Sequence, residues 1–544
     1  MAQSLHNLER RTVVSVLLFP FLPYASKPYR ILLFRRSDKV STYQRKLAPI
    51  AGSVETSDKS PLDAAWRELN EETGFGPQHT ELWRRGAGFS FTDETALSGR
   101  DGKGEKRGRI WTVWPFAFRL KKQVLDEGNT VQTLGLKLDW EHLNYEWKNV
   151  DDLLSGRILD DCVPRLETTL GQVWVDPESL LYQGLEELRL DHEHGARQLA
   201  TMAVKTLIKI VHHDLEISNA GSPAKVHEWW KNFQMQAFHL AFNGRPSMGA
   251  AISSAIVTAL RNVKDDVDWS GSDVYDNLKR SLEAYVSKRG EISNQVSRQF
   301  AMFFRDRFGA RAAQERPDGE KWIKILTLSS SSTIKAAILH LLDTDDDCMI
   351  ELRILESRPL LEGVKFAKAL ADEAQSRREN KGKGDGGGAI DHRLRIVLAT
   401  DASAGVLSKD VDLVIIGADR ISSAGDVSNK TGSLATVLLS KEVTNGSVCV
   451  ACVSEAEKIA TPGSTDEHAD EDNDKAEVAS AWQVPPSSMW DEMVTVRNVY
   501  FEWVPAKYID FYVCEDGILS TTDIARRSER IAKLATEVFS DLHF

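Results

Sequence analysis

At 544 residues the chain exceeds one ordinary domain, and ~150 residues per domain gives a prior of roughly three to four units. Its 42% hydrophobic and 27% charged residues are those of a globular protein with room for large cores, while a formal net charge of -12 gives no bulk reason to expect direct nucleic-acid binding. No stretch approaches the ~20 apolar residues that span a bilayer, and five cysteines make no disulfide framework, so a reducing, cytoplasmic setting without membrane is expected.

Arg10-Arg11 followed by residues 12–22 superficially resembles a short signal peptide. Pro20 and Pro23 interrupt the run, and no small-residue cleavage site clearly follows. The better reading is a core strand over 13–19, a Pro-bounded loop and a second strand over 30–34. A helix is predicted over 61–73, with Ser60 as N-cap, Pro61 at the first position and Gly74 ending it. Polar residues 93–107 read as a hairpin loop and residues 110–120 as the strand after it. A linker is expected near 176–191. From about 185 to 312, apolar residues recur at helical spacing (200–210, 229–242 and 252–263). Beyond 322, short apolar strands at 323–328, 352–355, 395–399, 413–416 and 448–453 alternate with helical segments, which argues for a parallel sheet flanked by helices. Two low-complexity stretches, 376–389 and 462–477, read as disordered surface insertions, the second carrying an acidic run. Cys449 and Cys452 form a C-x-x-C inside the last strand, where residues three apart face opposite ways, so no metal or redox pair is expected.

The segment 52–75 carries the first chemistry. On a helix, Glu68, Glu71 and Glu72 are spaced i, i+3 and i+4 and share one face. Three like charges there repel, and a hard divalent cation such as Mg2+ or Mn2+, which takes several oxygen ligands, would relieve that repulsion. Arg67 is placed to steady Glu71 one turn on. A glycine loop before the helix, Thr73-Gly74-Phe75 after it and flanking strands complete an arrangement that resembles the Nudix family and its box, R-E-x-x-E-E-x-G. Tyr145-Glu146-Trp147 resembles the closing segment of such domains. The resemblance implies a metal-dependent hydrolase of a nucleoside diphosphate derivative, with Glu68, Glu71 and Glu72 on the metal. Two departures stand out: the usual paired glycine is Ala51-Gly52, and the box's earlier glutamate falls at Asp58 or Lys59, depending on where one inserted residue sits.

Five loops stand out in the second half: 243–249, 327–333, 356–363, 400–405 and 417–432. The last four are each expected to follow a strand and open a helix, where backbone N–H groups and the helix dipole favour an anion. Arg245 and Arg358 offer forked donors and Lys430 a point charge to a phosphate. Glu356-Ser-Arg-Pro, Gly417-Ala-Asp-Arg-Ile421 and residues 425–432 resemble the initiation factor 2B alpha/beta/delta family, which also holds methylthioribose-1-phosphate and ribose-1,5-bisphosphate isomerases. The resemblance, from about 195 onward, implies a sugar phosphate or nucleotide ligand, with Ser329, Ser330, Asp419 and Asn429 beside the basic residues, and a homodimer or higher assembly through this half. The isomerases' cysteine position falls at Ser329, a far weaker acid than a thiol.

The expected architecture is an α/β multidomain protein. It comprises a Nudix α/β/α sandwich with a mixed sheet (10–180), a helical subdomain (190–315) and a Rossmann-like parallel sheet (320–544) with insertions near 375–390 and 462–480. The leading functional reading is a Mg2+-dependent Nudix hydrolase fused to a ligand-binding or assembly module. A non-enzymatic regulatory or assembly subunit of translation initiation and an aldose–ketose isomerase stand as alternatives.

Overall fold

The computed structural model describes every residue except 1–8, 25–26, 94–108, 123, 125–133, 192–193, 218–222, 270–272, 313–321, 382–391, 464–472, 483–492 and 543–544. The hairpin loop expected at 93–107 therefore lies, beyond Asp93, outside the described residues. None of the described helices is long and apolar enough to cross a membrane.

The first sheet is built on β1 (Glu9–Phe19), the strand that the signal-like run forms. It continues with β2 (Arg30–Arg36), β3 (Leu47–Ala48), β4 (Ile50–Ser53), β5 (Thr80–Arg85), β6 (Phe89–Asp93), β7 (Arg109–Leu120) and β8 (His142–Asn149). Its order is β3-β2-β1-β7-β5, with β4 on β1, β6 on β7 and β8 on β2. Only the β1–β7 pair is parallel, which makes the sheet mixed. The period of two in β1 explains the layers. Val14, Val16 and Leu18 enter one core with Ala64, Ala65 and Leu69 of the helix Pro61–Thr73. Leu17 and Phe19 enter the opposite core with the short helices Val150–Leu154 and Leu166–Gly171. The helix Pro61–Thr73 has the predicted ends. Ser60 accepts from the Asp63 N–H, Pro61 opens it, and Gly74 adopts φ 74° while donating to the Asn70 carbonyl.

The linker expected at 176–191 is mostly the helix Leu180–Leu190, capped by Ser179, with Leu181, Leu185 and Leu188 buried. Its apolar stripe is short and interrupted by Glu186-Glu187, so the periodicity is hard to see in sequence. It joins the helices Ala196–Ile217, Pro223–Asn243, Gly249–Asp266 and Val274–Arg289 in one core, to which Ala87 and Val175 also contribute. Asn243 stitches this core to the first sheet: its amide accepts from the Arg85 N–H and donates to the Arg85 carbonyl, both at 2.8 Å. The next helix, Ile292–Ala312, turns Phe300 and Phe304 into the following core instead.

That core surrounds β9 (Ile323–Leu328), β10 (Ile350–Leu355), β11 (Leu394–Ala399) and β12 (Leu413–Ile416). A small antiparallel sheet follows, made of β13 (Arg420–Ile421), β14 (Val427–Lys430) and, from further along, β16 (Phe501–Val504). With β15 (Cys449–Val453), β17 (Phe511–Cys514) and β18 (Gly517–Leu519), the main sheet runs β11-β10-β9-β12-β15-β17-β18, parallel except for the last pair. Strand order reverses between β9 and β12, the crevice where doubly wound sheets bind ligands. Cys449 and Cys452 enter cores on opposite faces of β15, and both are free. The segment 417–432 does not lead straight into a helix as expected. β13 and β14 intervene, and the helix Ser433–Val443 starts after Gly432. Of the two expected insertions, 382–391 and 464–472 lie outside the described residues. Residues 376–381 instead close the helix Glu362–Lys381, and Lys475–Ala479 forms a short helix.

Candidate functional sites

In the first unit, Gly52 sits opposite Val14 in the β1–β4 pair, directly beneath Glu68. A Cβ added to Gly52 would lie 1.9 Å from the Glu68 carboxyl carbon, so only glycine lets the carboxylate descend onto this strand. Arg67 organises the flank of the same helix. Its guanidinium donates to Asp58 at 3.0 Å, Glu68 at 2.7 Å, Glu71 at 3.2 Å and the Ser53 carbonyl at 2.9 Å. Asp58 is thus the loop carboxylate that meets Arg67. The guanidinium holds the Asp58 carboxyl below its ordinary range.

Glu72 points elsewhere. It is 4% exposed, and its Oε2 has no hydrogen-bond partner. The nearest cationic candidate is His142 Nε2 at 3.4 Å, whose other nitrogen lies 3.3 Å from Asp139 Oδ1. Burial, followed by repulsion from Glu68, Glu141 and Asp139, pushes the Glu72 carboxyl up to about 9. Burial likewise raises Glu68 and Glu141 and lowers His142. Among the described residues, no three His, Cys, Asp or Glu side chains converge as a metal cage. The donor chemistry nonetheless fits a hard cation: an orphaned, buried carboxylate oxygen beside a second, half-buried carboxylate favours positive charge nearby. Glu68 and Glu72, with the more exposed Glu71, are the residues that would hold it.

Around the glycine loop opens a cleft of about 230 Å³, lined by Arg36, Tyr43, Gly52, Phe91, Trp111 and Arg165 among others. Phe91 and Trp111 are directly paired across β6 and β7, and the Trp111 indole N–H is buried without a partner. Tyr43 donates a short hydrogen bond to Asp93.

In the second half the loops meet at the switch point. Ser329 has φ 65°, and its N–H donates to Ser357 Oγ at 2.6 Å. The N–H groups of Ser357 and Arg358 both donate to Asp401 at 2.8 Å, which ties three successive loops together, with Ser330 and Arg358 exposed. Across the crevice, a Cβ on Gly417 would stand 3.5 Å from Asn429 Oδ1 and 3.7 Å from Ser331 Oγ. Asn429 donates to Ser433 at 2.8 Å. Asp419 is half-buried, and desolvation raises its carboxyl, while Lys458, Lys430 and Arg245 pull the other way. Lys430 is 3.0 Å from Glu362 and lies over the rings of Tyr500 and Phe501 at 4.4 and 4.9 Å. The Arg245 guanidinium donates to the Asp191 carbonyl. The basic residues thus share the region of Asp419, but Lys430 and Arg245 already have partners.

Several residues in these sites are not evident from sequence motifs. Arg36, Asp139, Glu141 and His142 reach the box helix from loops and strands distant in sequence; the sole local signal is the polar run 139–142 ahead of Tyr145. In the second half, Glu455 is fully buried, accepts from Thr333 at 2.6 Å and lies 3.1 Å from Lys458, which donates to the Ala418 carbonyl at 2.7 Å. This pair underpins the Asp419 loop.

Comparison with known proteins bears on both halves. Residues 11–166 match the NUDIX domain model, and residues 388–521 match the Initiation factor 2 subunit family. A methylthioribose-1-phosphate isomerase of Syntrophotalea carbinolica is 32% identical over 23% of this chain and 36% of its own length. The ribose 1,5-bisphosphate isomerase of Methanocaldococcus jannaschii is 21% identical over 62% of this chain and 91% of its own. The crystal structure of the Pyrococcus horikoshii translation initiation factor eIF-2B aligns with TM-score 0.42 and 17% identity, covering 62% of this chain and 96% of that one. The chain spans about a third to a half of the length of the first curated relatives it matches. It carries a NUDIX domain at its N-terminal end and a domain of the Initiation factor 2 subunit family in its C-terminal half.

Proposed function

We propose that the N-terminal unit hydrolyses a nucleoside diphosphate derivative with the help of Mg2+ or Mn2+, and that the C-terminal half binds a sugar phosphate or nucleotide. The observation that carries the first part is Glu72, a buried carboxylate with an unpaired oxygen, one turn from Glu68, which itself lies against Gly52. Glu68, Glu71 and Glu72 would hold a divalent ion, which would supply charge neutralisation and activate a water. The chain's own groups do the rest. Arg36 and Arg165 bring positive charge to the cleft for a diphosphate, and the Phe91–Trp111 pair offers a flat apolar wall with one N–H donor, suited to a base. Arg67 neutralises Glu68 and Glu71 until an ion does so.

For the second half, the isomerase reading is favoured by one observation. Asp419, whose raised carboxyl suits proton exchange, sits at the switch point beside the Ser329 loop, and curated relatives of this region are sugar-phosphate isomerases. Against it stands Ser329 where those enzymes carry a cysteine, which keeps ligand binding as the leading reading. The exposed apolar side chains of Leu398, Val406, Leu438, Leu439 and Val443 in this half support a homodimer. The regulatory reading gains support from those same exposed side chains, and it loses to the hydrolase reading if turnover is found.

The deciding experiment is phosphate-coupled turnover with Mg2+ across nucleoside diphosphate conjugates, beside a Glu71→Gln/Glu72→Gln protein. Activity absent from the double variant supports the hydrolase; a folded wild type that turns over no conjugate refutes it. Incubation with methylthioribose-1-phosphate or ribose-1,5-bisphosphate, followed by NMR, decides the isomerase alternative.

A further inference from the structure

We propose that His142, steered by Asp139, is the positioning residue that holds Glu72 ready for a metal ion; the inference rests on the hydrolase reading above. The three side chains form a chain of carboxylate, imidazole and carboxylate. Glu72 Oε2 is 3.4 Å from His142 Nε2, and His142 Nδ1 is 3.3 Å from Asp139 Oδ1. Both Glu72 Oε2 and His142 Nε2 are buried without a hydrogen bond, and they lie 3.4 Å apart, a separation that a small movement converts into a bond.

The far end of the chain is anchored. Asp139 accepts from the Glu141 N–H at 3.0 Å, and its own N–H donates to the Glu72 carbonyl at 3.4 Å. The Lys137 N–H donates to the Thr73 carbonyl at 3.0 Å, and the Ser37 N–H to the Glu141 carbonyl at 2.7 Å. The corner before β8 is thereby stitched to the last turn of the box helix and to the end of β2. Phe34, with its ring centroid 5.2 Å from that of His142, backs the imidazole from the sheet side. Arg36, Glu141 and Glu68 are the other charged groups facing Glu72. A glutamate has three rotatable bonds, and a buried one with no donor needs a wall to stay in one rotamer. The imidazole supplies that wall and a nitrogen 3.4 Å from the carboxylate, while Asp139 fixes the ring's orientation. Partners of this kind around metal-binding carboxylates are worth roughly 10–100-fold in metal affinity. His142 Nε2 is buried with no hydrogen-bond partner, and Glu72 is the carboxylate it faces at 3.4 Å.

The test measures Mn2+ binding to the full-length protein by calorimetry and by the EPR signal of free Mn2+, together with steady-state turnover. His142→Phe keeps the ring's bulk and removes its nitrogens; it is expected to weaken Mn2+ binding by about 10–100-fold and to lower kcat while leaving KM for the conjugate nearly unchanged. His142→Gln, which can place an amide N–H near the Nε2 position, should recover much of both. Asp139→Asn, at a partly exposed loop, should show the same pattern more weakly and carries the test if His142→Phe does not fold. Wild-type Mn2+ affinity and kcat in folded His142→Phe, or in Asp139→Asn alone where His142→Phe is lost, would overturn the inference and leave the hydrolase reading standing. A wild type whose Mn2+ binding is insensitive to Glu72→Gln and that hydrolyses no conjugate removes the reading itself, and the inference with it.

Discussion

Asp58 and Arg67 meet at 3.0 Å across the opening of the box helix, joining a loop residue to a side chain two turns into the helix. The same guanidinium touches Glu68, Glu71 and the Ser53 carbonyl, so Asp58 anchors the cation that spaces two of the three box carboxylates. Because Arg67 lowers the Asp58 carboxyl, the pair contributes stability above the unfolded aspartate value of 3.8 and loses it as pH falls through the lowered folded value. Asp58→Asn is expected to raise the midpoint of acid unfolding and to cut turnover at least tenfold. Lys59→Ala should do neither. Acid titration by circular dichroism and parallel assays check both, and an equal effect of the two substitutions would show that the Asp58–Arg67 pair is not what organises this flank of the helix.

Gly52→Ala should separate activity from stability. The new methyl would collide with the Glu68 carboxyl group at 1.9 Å, and that group is the far end of a flexible side chain. Glu68 can rotate away, so the melting temperature should fall little, on the order of 1 kcal/mol or less in stability. The carboxylate would then be displaced from Glu72, and kcat should drop by roughly 100-fold or more, as expected when positioning is lost by about 1 Å. A fully active Gly52→Ala protein would show that Glu68 need not sit on β4.

How much of this was legible beforehand depends on the range of the interaction. The box helix, from Ser60 to Gly74, was readable because capping, proline and glycine effects are local. β9 and β12 were readable as apolar runs bounded by turn residues. The helix Leu180–Leu190 was misread as linker because its stability comes from the tertiary burial of Leu181, Leu185 and Leu188, not from a long local stripe. β13 and β14 escaped notice because strands of 2 and 4 residues are set by tertiary pairing, β13 on β14 and β14 on β16, some 70 residues away. In the first site, Glu68, Glu71 and Glu72 share a helix, but their surroundings diverge: Arg67 claims two of them and His142 faces the third. That division depends on the corner at 139–142, which no helical spacing reveals.

Arg289 and Glu457 make a second long-range pair, linking the helix Val274–Arg289 to the loop after β15. The guanidinium donates to Glu457 at 2.8 Å, and also to the Arg197 carbonyl at 3.1 Å, with Arg289 2% and Glu457 9% exposed. Removing one partner leaves an uncompensated buried charge, so Arg289→Met is expected to cost about 3–5 kcal/mol in denaturant unfolding. Replacing both with apolar residues should restore much of that. A double variant as unstable as the single one would mean that Arg289 acts through its backbone acceptor instead.

Glu515 offers a pH test of the C-terminal sheet. It lies just after β17, accepts from the Ala456 N–H at 2.9 Å, and burial pushes its carboxyl up to about 7. A folded value above the unfolded 4.5 means that the folded state holds a proton which the unfolded chain has released. The stability associated with Glu515 is therefore complete below pH 4.5 and declines as pH rises toward 7, with no further change once both states are ionised. Glu515→Gln keeps an oxygen for Ala456 and carries no charge. It should be more stable than wild type at pH 8, by an amount on the order of 1–3 kcal/mol, and nearly equal to it at pH 4.5. Urea unfolding at the two pH values gives the comparison directly. A difference that is the same at both, or that favours wild type at pH 8, would show that the Glu515 carboxylate is held by favourable partners instead of being opposed by its burial.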